Sequence, residues 1–442
     1  MVQRANGWLR SPVATLLSSS RAAPVAYSFA DQAFAVGGTL LVNVILARTQ
    51  TKEEYGMFAL SYSVYTFLSG LHNAAILEPY TVYGSGRYRS RFSEYLRFMV
   101  RNHAFVGLLL TGMLLVTCLG IWWAGPPRVV RALVGFALTA GVLLSGAFLR
   151  RIFYLQRQAI LAAGTSLVFF VTVACGLLLA TRAHVLDGFS AFLILALGWI
   201  VAGASLGGKL AFGKPGKHFL ATEPGYWREH WKYSQWVLAT AFVFQLTSQG
   251  YYWLLAGLLS VKEVGELKAM YILVAPVDQI FIALSYLVLP ILASHYVTNQ
   301  MRSFISLWKR YVFAAIGVTA MFALAVRILG RPTMHLLYAG KFDGLAPLLF
   351  ALALVPLFMG IGNTMNDALK AAEQPRFVFY AYLASGAATF LLGIPLVIHF
   401  GLRGAVAGML VSAATYSCAL GAGFLFLVHG QRPAVAKAAA TR

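Results

Sequence analysis

The stretch Ala132-Leu-Val-Gly-Phe-Ala-Leu-Thr-Ala-Gly-Val-Leu-Leu-Ser-Gly-Ala-Phe-Leu149 contains no charged residue and stops at Arg150-Arg151. About 20 mostly apolar residues, wound as a helix, span the hydrocarbon core of a bilayer. A basic pair at the end of such a run marks the cytoplasmic face. Working outward, eleven more windows read the same way: 27–47, 55–77, 103–124, 159–181 and 189–209 in the first half, then 235–258, 269–293, 311–328, 345–366, 378–398 and 404–428. The connections are short, so nothing outside the membrane reaches the roughly 50 residues at which soluble domains begin.

Composition agrees with this reading. Hydrophobic residues make up 59% of the 442 and charged ones only 11%, whereas soluble chains carry about 25% charged residues. The expected fold is therefore an all-α polytopic membrane protein. Its expected parts are a basic tail (1–26), a six-helix bundle (27–209), a cytoplasmic linker (210–234), a second six-helix bundle (235–428) and a C-terminal tail (429–442).

A net charge of +21 would suggest nucleic acid in a soluble protein. Placing the amino terminus inside puts 24 of the 35 Lys and Arg on the cytoplasmic side, as the positive-inside rule requires. Both termini are thus expected in the cytoplasm, the bilayer and its anionic lipids are the partner, and nucleic acid is not. Cys118, Cys175 and Cys418 fall within spans, which argues against a disulfide framework. No metal-binding spacing or nucleophile elbow occurs, so neither a metal site nor an enzyme is expected. Gly208 to Lys214 has phosphate-loop spacing, but Pro215 replaces the required hydroxyl residue. The pairs Gly203/Gly207 and Gly404/Gly408 suit close helix packing.

Ionisable groups inside a membrane cost about 2.5–3.5 kcal/mol each on insertion scales, so they mark candidate sites. Asp278 lies deep in the eighth span, two residues after Pro276 and beside Gln279. It reads as a proton or cation site, as an acceptor for sugar hydroxyls, or as a carboxyl satisfied by a neighbouring helix. Asp31 and Gln32 lie near the cytoplasmic end of the first span, with Asn43 further along it; Gln245, Gln249, Tyr251 and Tyr252 share the seventh. Weaker signals are His72, Asn73 and Glu78, and Asn363, Asn366 and Asp367.

A repeat divides the chain. Lys52-Glu53-Glu54-Tyr55-Gly56 follows the first span and Val261-Lys262-Glu263-Val264-Gly265 follows the seventh, 209 residues later. With six spans per half, the halves are expected to be parallel repeats about an axis along the membrane normal.

Ile45-Leu-Ala-Arg48 with Glu54-Tyr-Gly56-Met-Phe-Ala-Leu60, and Leu337-Tyr-Ala-Gly340-Lys-Phe-Asp343 with Ala346-Pro347, Ala368-Leu369-Lys-Ala-Ala372 and Gln374-Pro375-Arg376, resemble the polysaccharide transporter family. These O-antigen and oligosaccharide flippases belong to the multidrug/oligosaccharidyl-lipid/polysaccharide (MOP) exporter superfamily. The resemblance implies two six-helix bundles around a central cavity in a bacterial inner membrane. It implies alternating access that flips lipid-linked oligosaccharide of the undecaprenyl pyrophosphate type. It also implies a polysaccharide polymerase and export machinery as partners, and it places spans one and seven against the cavity, where the polar residues above would line a sugar path; interhelical packing bonds explain the same residues.

No cofactor is expected, and coupling to a proton or sodium gradient would fall to Asp278. Guanidinium suits phosphate oxygens, and some flippases of the superfamily carry arginines in the cavity. Here every cation lies near the ends of spans, so pyrophosphate is expected at a cytoplasmic mouth formed by Arg87, Arg89, Arg150, Arg151, Arg157, Lys370 and Arg376. A drug/cation antiporter of the same superfamily is the rival. A membrane-embedded glycosyltransferase or polymerase would want paired carboxylates in an extended outer loop, which the short loops do not provide.

Overall fold

A computed structural model describes residues 19–124, 127–209 and 225–440. Most of the expected N-terminal tail, residues 210–224 of the linker and residues 441–442 lie outside the described residues. Among those described there is no strand. The helices are α1 (Ser19–Thr49), α2 (Lys52–His72), a π-helical turn (Asn73–Leu77), α3 (Glu78–Ser85), α4 (Phe92–Ala124), α5 (Pro127–Leu155), α6 (Ala159–Arg182) and α7 (Gly188–Leu206). They continue as α8 (Gly225–Leu258), α9 (Val261–Val297), α10 (Met301–Tyr338), α11 (Ala346–Leu352), α12 (Val355–Ala371), α13 (Pro375–Leu391) and α14 (Gly393–Ala440). Helices are what hydrocarbon permits, because each backbone N–H and C=O must find its partner inside the chain.

Nine helices among the described residues are long and apolar enough to cross a membrane, and the chain is a multi-pass membrane protein. The other three expected spans are also helical. α2 carries serines and tyrosines along its length, α8 carries Gln245, Thr247, Ser248 and Gln249, and α13 has only 17 residues. Their polarity or shortness, rather than a different conformation, separates them from the nine. α14 is two helices joined at Gly401, whose φ of 59° and ψ of −135° suit only glycine. The segment before this break completes the eleventh span and the segment after it forms the twelfth.

The chain divides into two compact units. Unit 1 holds the chain up to Leu46 together with Leu68–Leu238, and unit 2 holds Ala47–Phe67 with Ala239–Arg442. Residues 225–234 are the first turns of α8 and pack within unit 1. Tyr226 and His230 enter the aromatic cluster of Tyr80, Tyr95 and Phe98, Tyr233 donates to Glu78 at 3.0 Å, and Ser234 donates to the Ala75 carbonyl at 3.0 Å.

The repeated segments meet inside unit 2. A Cβ on Gly56 would lie 1.7 Å from the Val261 carbonyl oxygen, and one on Gly265 would lie 2.7 Å from the Lys52 carbonyl oxygen and 3.0 Å from Gly56 N. Position 52 thus faces 265 as 261 faces 56, a reciprocal contact of the kind a local two-fold axis produces. Lys52 ties the crossing to Glu266 at 2.7 Å. A second correspondence lies in the turns after α5 and α12. Arg157 and Glu373 both adopt φ 58°; Gln158 N donates to Phe153 O at 2.8 Å, and Gln374 N to Leu369 O at 2.9 Å.

The Leu337–Asp343 motif closes helix ends. Ala339 and Gly340 take positive φ, and Lys341 Nζ donates to the carbonyls of Ala47 at 2.9 Å, Arg48 at 3.1 Å and Gln50, satisfying the orphan acceptors at the end of α1. Burial, then the nearby Lys52, pulls the Lys341 ammonium below its ordinary value. Gly408 does serve close packing, backing onto the Tyr251 ring. Gly203 and Gly207 do not: no heavy atom of the described residues lies within 4 Å of a Cβ built there.

Two predictions concern stability. Gly56→Ala overpacks a contact made of backbone that cannot swing away, at a cost of about 1–3 kcal/mol, whereas Gly112, with open space around it, tolerates Ala. Thermal unfolding in detergent should separate the two variants, and equal midpoints would refute the crossing. Burial lowers the His230 imidazole from 6.5 to about 4, against an opposing pull from Glu229. A folded value below the unfolded one gives stability that is present above about pH 6.5 and lost as pH falls toward 4. Trypsin cleavage after Arg228 and Lys232 should therefore accelerate over that window in wild type but not in His230→Gln.

Candidate functional site

In unit 1 the polar centre is Asp31, 1% exposed. Its carboxylate accepts from Arg150 Nε at 2.8 Å and Nη2 at 2.7 Å, from Tyr154 at 2.7 Å and from Ser166 at 2.5 Å. Arg150 Nη2 also donates to Gln32 Oε1 at 2.9 Å. α1, α5 and α6 each contribute to this constellation, and its bidentate geometry is the strong form of a carboxylate–guanidinium pair. Arg150, expected at an open mouth, is thus held by Asp31 and Gln32, its side chain 18% exposed. The pairing follows from lipid: neither charge is tolerable near the apolar interior without the other.

The other expected mouth cations are dispersed. Arg151 Nη2 reaches Asn73 Oδ1 at 3.4 Å, and Arg87 pairs with Glu229 at 2.8 Å. Arg89 and Arg157 are exposed on turns. In unit 2, Lys370 and Arg376 are exposed, the latter over the Phe377 ring at 5.1 Å.

Unit 2 brings together a second group that sequence reasoning divided. Lys268, expected outside the eighth span, lies two turns inside α9. Ser260 caps that helix, its hydroxyl accepting from Lys262 N at 3.2 Å, so the helix begins eight residues before the hydropathy window. The Lys268 ammonium stands 4.6 Å from the Tyr62 ring centroid and 5.6 Å from that of Tyr252, and it makes no ion pair among the described residues. Tyr271, one turn on, donates to Asp278 Oδ2 at 3.1 Å. Positions 268, 271, 275 and 278 share one helix face, so a cation, a phenol and a carboxylate line up along α9. Gln249 is buried and donates to Ser248 at 3.1 Å; Gln245 is half-buried and Gln279 exposed.

Further along unit 2, Asp367 accepts from Ser285 at 2.8 Å and Tyr311 at 3.0 Å. Asn366 donates to the Tyr416 hydroxyl at 3.3 Å, and Tyr416 donates to Asn363 at 3.4 Å. Asn366 Oδ1 is buried with no partner among the described residues. Asn43, buried in α1, donates to Thr39 O at 2.8 Å on its own helix. Lys268, Tyr62, Tyr154, Ser166 and Tyr311 were not singled out from the sequence.

No protein-family model matches the chain, and no curated protein matches its sequence. Solved structures do share its architecture. An inward-facing multidrug resistance MATE family transporter of the MOP superfamily superposes with a TM-score of 0.76 at 10% identity, covering 89% of this chain and 93% of that one. The lipid II flippase MurJ, in an inward closed conformation, gives 0.72 at 14% identity, covering 92% and 87%. A variant of the Vibrio cholerae MATE transporter VcmN gives 0.60 at 12% identity, covering 92% and 98%. The fold is that of the MOP-superfamily transporters.

Removing one partner of a buried pair strands the other charge, at a cost of about 3–5 kcal/mol. Asp31→Leu should therefore abolish folded protein in membranes, while Asp31→Leu with Arg150→Met restores it. Size-exclusion profiles of the fluorescently tagged variants check this. A monodisperse single mutant would contradict the pairing.

Proposed function

We propose that this chain carries a lipid-linked oligosaccharide, anchored through a pyrophosphate, from the cytoplasmic to the outer leaflet of a bacterial inner membrane by alternating access, with both termini in the cytoplasm. One observation carries the reading: Lys268 lies within a membrane helix, between two tyrosine rings, with no ion pair among the described residues. A half-buried ammonium that meets ring faces and no carboxylate among the described residues gains most from an anionic guest. Tyrosine faces suit stacking on sugar rings, and Asp278 and Gln249 suit their hydroxyls. The likeness to a lipid II flippase agrees with such cargo, and the sequence motifs point the same way. On this reading a polymerase and export machinery follow the flipping step, and Asp278 is the candidate for ion coupling.

The likeness to MATE transporters favours a second reading, drug/cation antiport. That exchange needs a carboxylate free to trade a proton for a cation. Asp31 is committed to Arg150, which leaves Asp278 and Asp367, each held by hydroxyl donors alone in the bonds described.

The test is surface polysaccharide per inserted protein in cells that depend on this chain. Lys268→Gln is expected to lower it about tenfold, a loss within the range of one charge-assisted contact. Arg89→Gln should leave it near normal. Normal glycan in Lys268→Gln, or dye sensitivity as the only phenotype of a deletion, would overturn the reading.

A further inference from the structure

Unit 1 contains a buried hydrogen-bonded chain that the Asp31 constellation does not use. His72, the last residue of α2, is 5% exposed, and His103 of α4 is 6% exposed. His72 Nε2 lies 2.9 Å from His103 Nδ1, and His103 Nε2 lies 2.9 Å from Ser145 Oγ on α5. Ser145 donates its only proton to the Gly141 carbonyl at 2.8 Å.

That last bond sets the direction of the rest. With its proton spent, Ser145 Oγ must accept from His103 Nε2–H. A neutral His103 then presents a lone pair at Nδ1, which accepts His72 Nε2–H. Both rings are neutral and every N–H is used, which leaves the lone pair of His72 Nδ1 as the one open acceptor of the relay. A proton arriving there breaks none of the three bonds and can be shared along the chain.

The charged neighbours are few. Asn73, directly after His72, is reached by Arg151 of α5; Arg150 on the same helix is turned to Asp31. From the α3 side Glu78 accepts from Tyr233 of α8. His103 is stacked on the Phe148 ring at 4.6 Å. No carboxylate among the described residues bonds either imidazole, so a positive charge on the pair meets no carboxylate partner where it arises. It arises next to the π-helical turn Asn73–Leu77, the kind of irregular helix that often sits at functional positions.

We infer that the His72–His103 pair is a proton-binding site and that its occupation drives unit 1 out of the conformation described here, giving the transporter a proton-linked step distinct from Asp278. A ligand can shift two states only by its differential affinity for them, and here the differential is one imidazolium set against a buried, neutral hydrogen-bond chain. The inference is independent of what cargo is carried.

His72→Gln tests it, because the glutamine N–H can still donate to His103 Nδ1 while the imidazole acceptor at position 72 is gone. In the purified full chain in lipid nanodiscs, the ring nitrogen signals of His72 and His103 should move together toward imidazolium on acidification, with assignment from His72→Gln and His103→Gln. Rate-corrected amide exchange over 73–77 should rise about fivefold or more on acidification in wild type and stay flat in His72→Gln, which folds and inserts normally. Ring signals that remain those of neutral histidine, or exchange in His72→Gln that still rises with acid, would overturn the proposal.

Discussion

Hydrocarbon offers no hydrogen-bond partner, so every polar group this chain brings into the bilayer has to be answered by another part of the chain or by cargo. The helices follow from that constraint, and so do their ends. Lys341 donates to the last carbonyls of α1, and Ser260 caps α9. The same constraint makes Asp31 and Arg150 a single unit of charge neutrality spanning α1 and α5. Against this background Lys268 stands out, because among the described residues it makes no ion pair and is met by the rings of Tyr62 and Tyr252.

The sequence repeat acquires a physical meaning in unit 2. Two segments 209 residues apart cross backbone to backbone, each glycine backing onto the other segment's carbonyl. A side chain at either position would force the helix ends apart, which explains why glycine, at Gly56 and Gly265, is one of the two letters shared in an otherwise loose match. The turns at Arg157 and Glu373 extend the correspondence to later spans.

The spans were legible because length and apolarity are properties of contiguous residues. The all-α fold, the twelve segments and the break between the last two all follow from windows and glycines that can be read in order. The sites were legible only as residue types. Nothing local in α1 says that Asp31 meets Arg150, 119 residues away, so an arginine that looked like an open mouth is instead a counter-ion. Lys268 was assigned outside the membrane because hydropathy windows shrink from charge, whereas a serine cap lets α9 start earlier. His72 and His103 lie 31 residues apart on separate helices, and only their packing makes them a pair.

The central claim is that Lys268 of α9, which makes no ion pair among the described residues, receives an anionic, glycan-bearing lipid. Its most direct measurement is translocation of a fluorescent undecaprenyl-pyrophosphate-linked sugar across proteoliposomes containing the purified chain, run beside a cationic dye. The account predicts that the lipid-linked sugar crosses with wild-type protein, that the rate falls in Lys268→Gln, and that the dye does not move. Dye transport without movement of the lipid-linked sugar would contradict it.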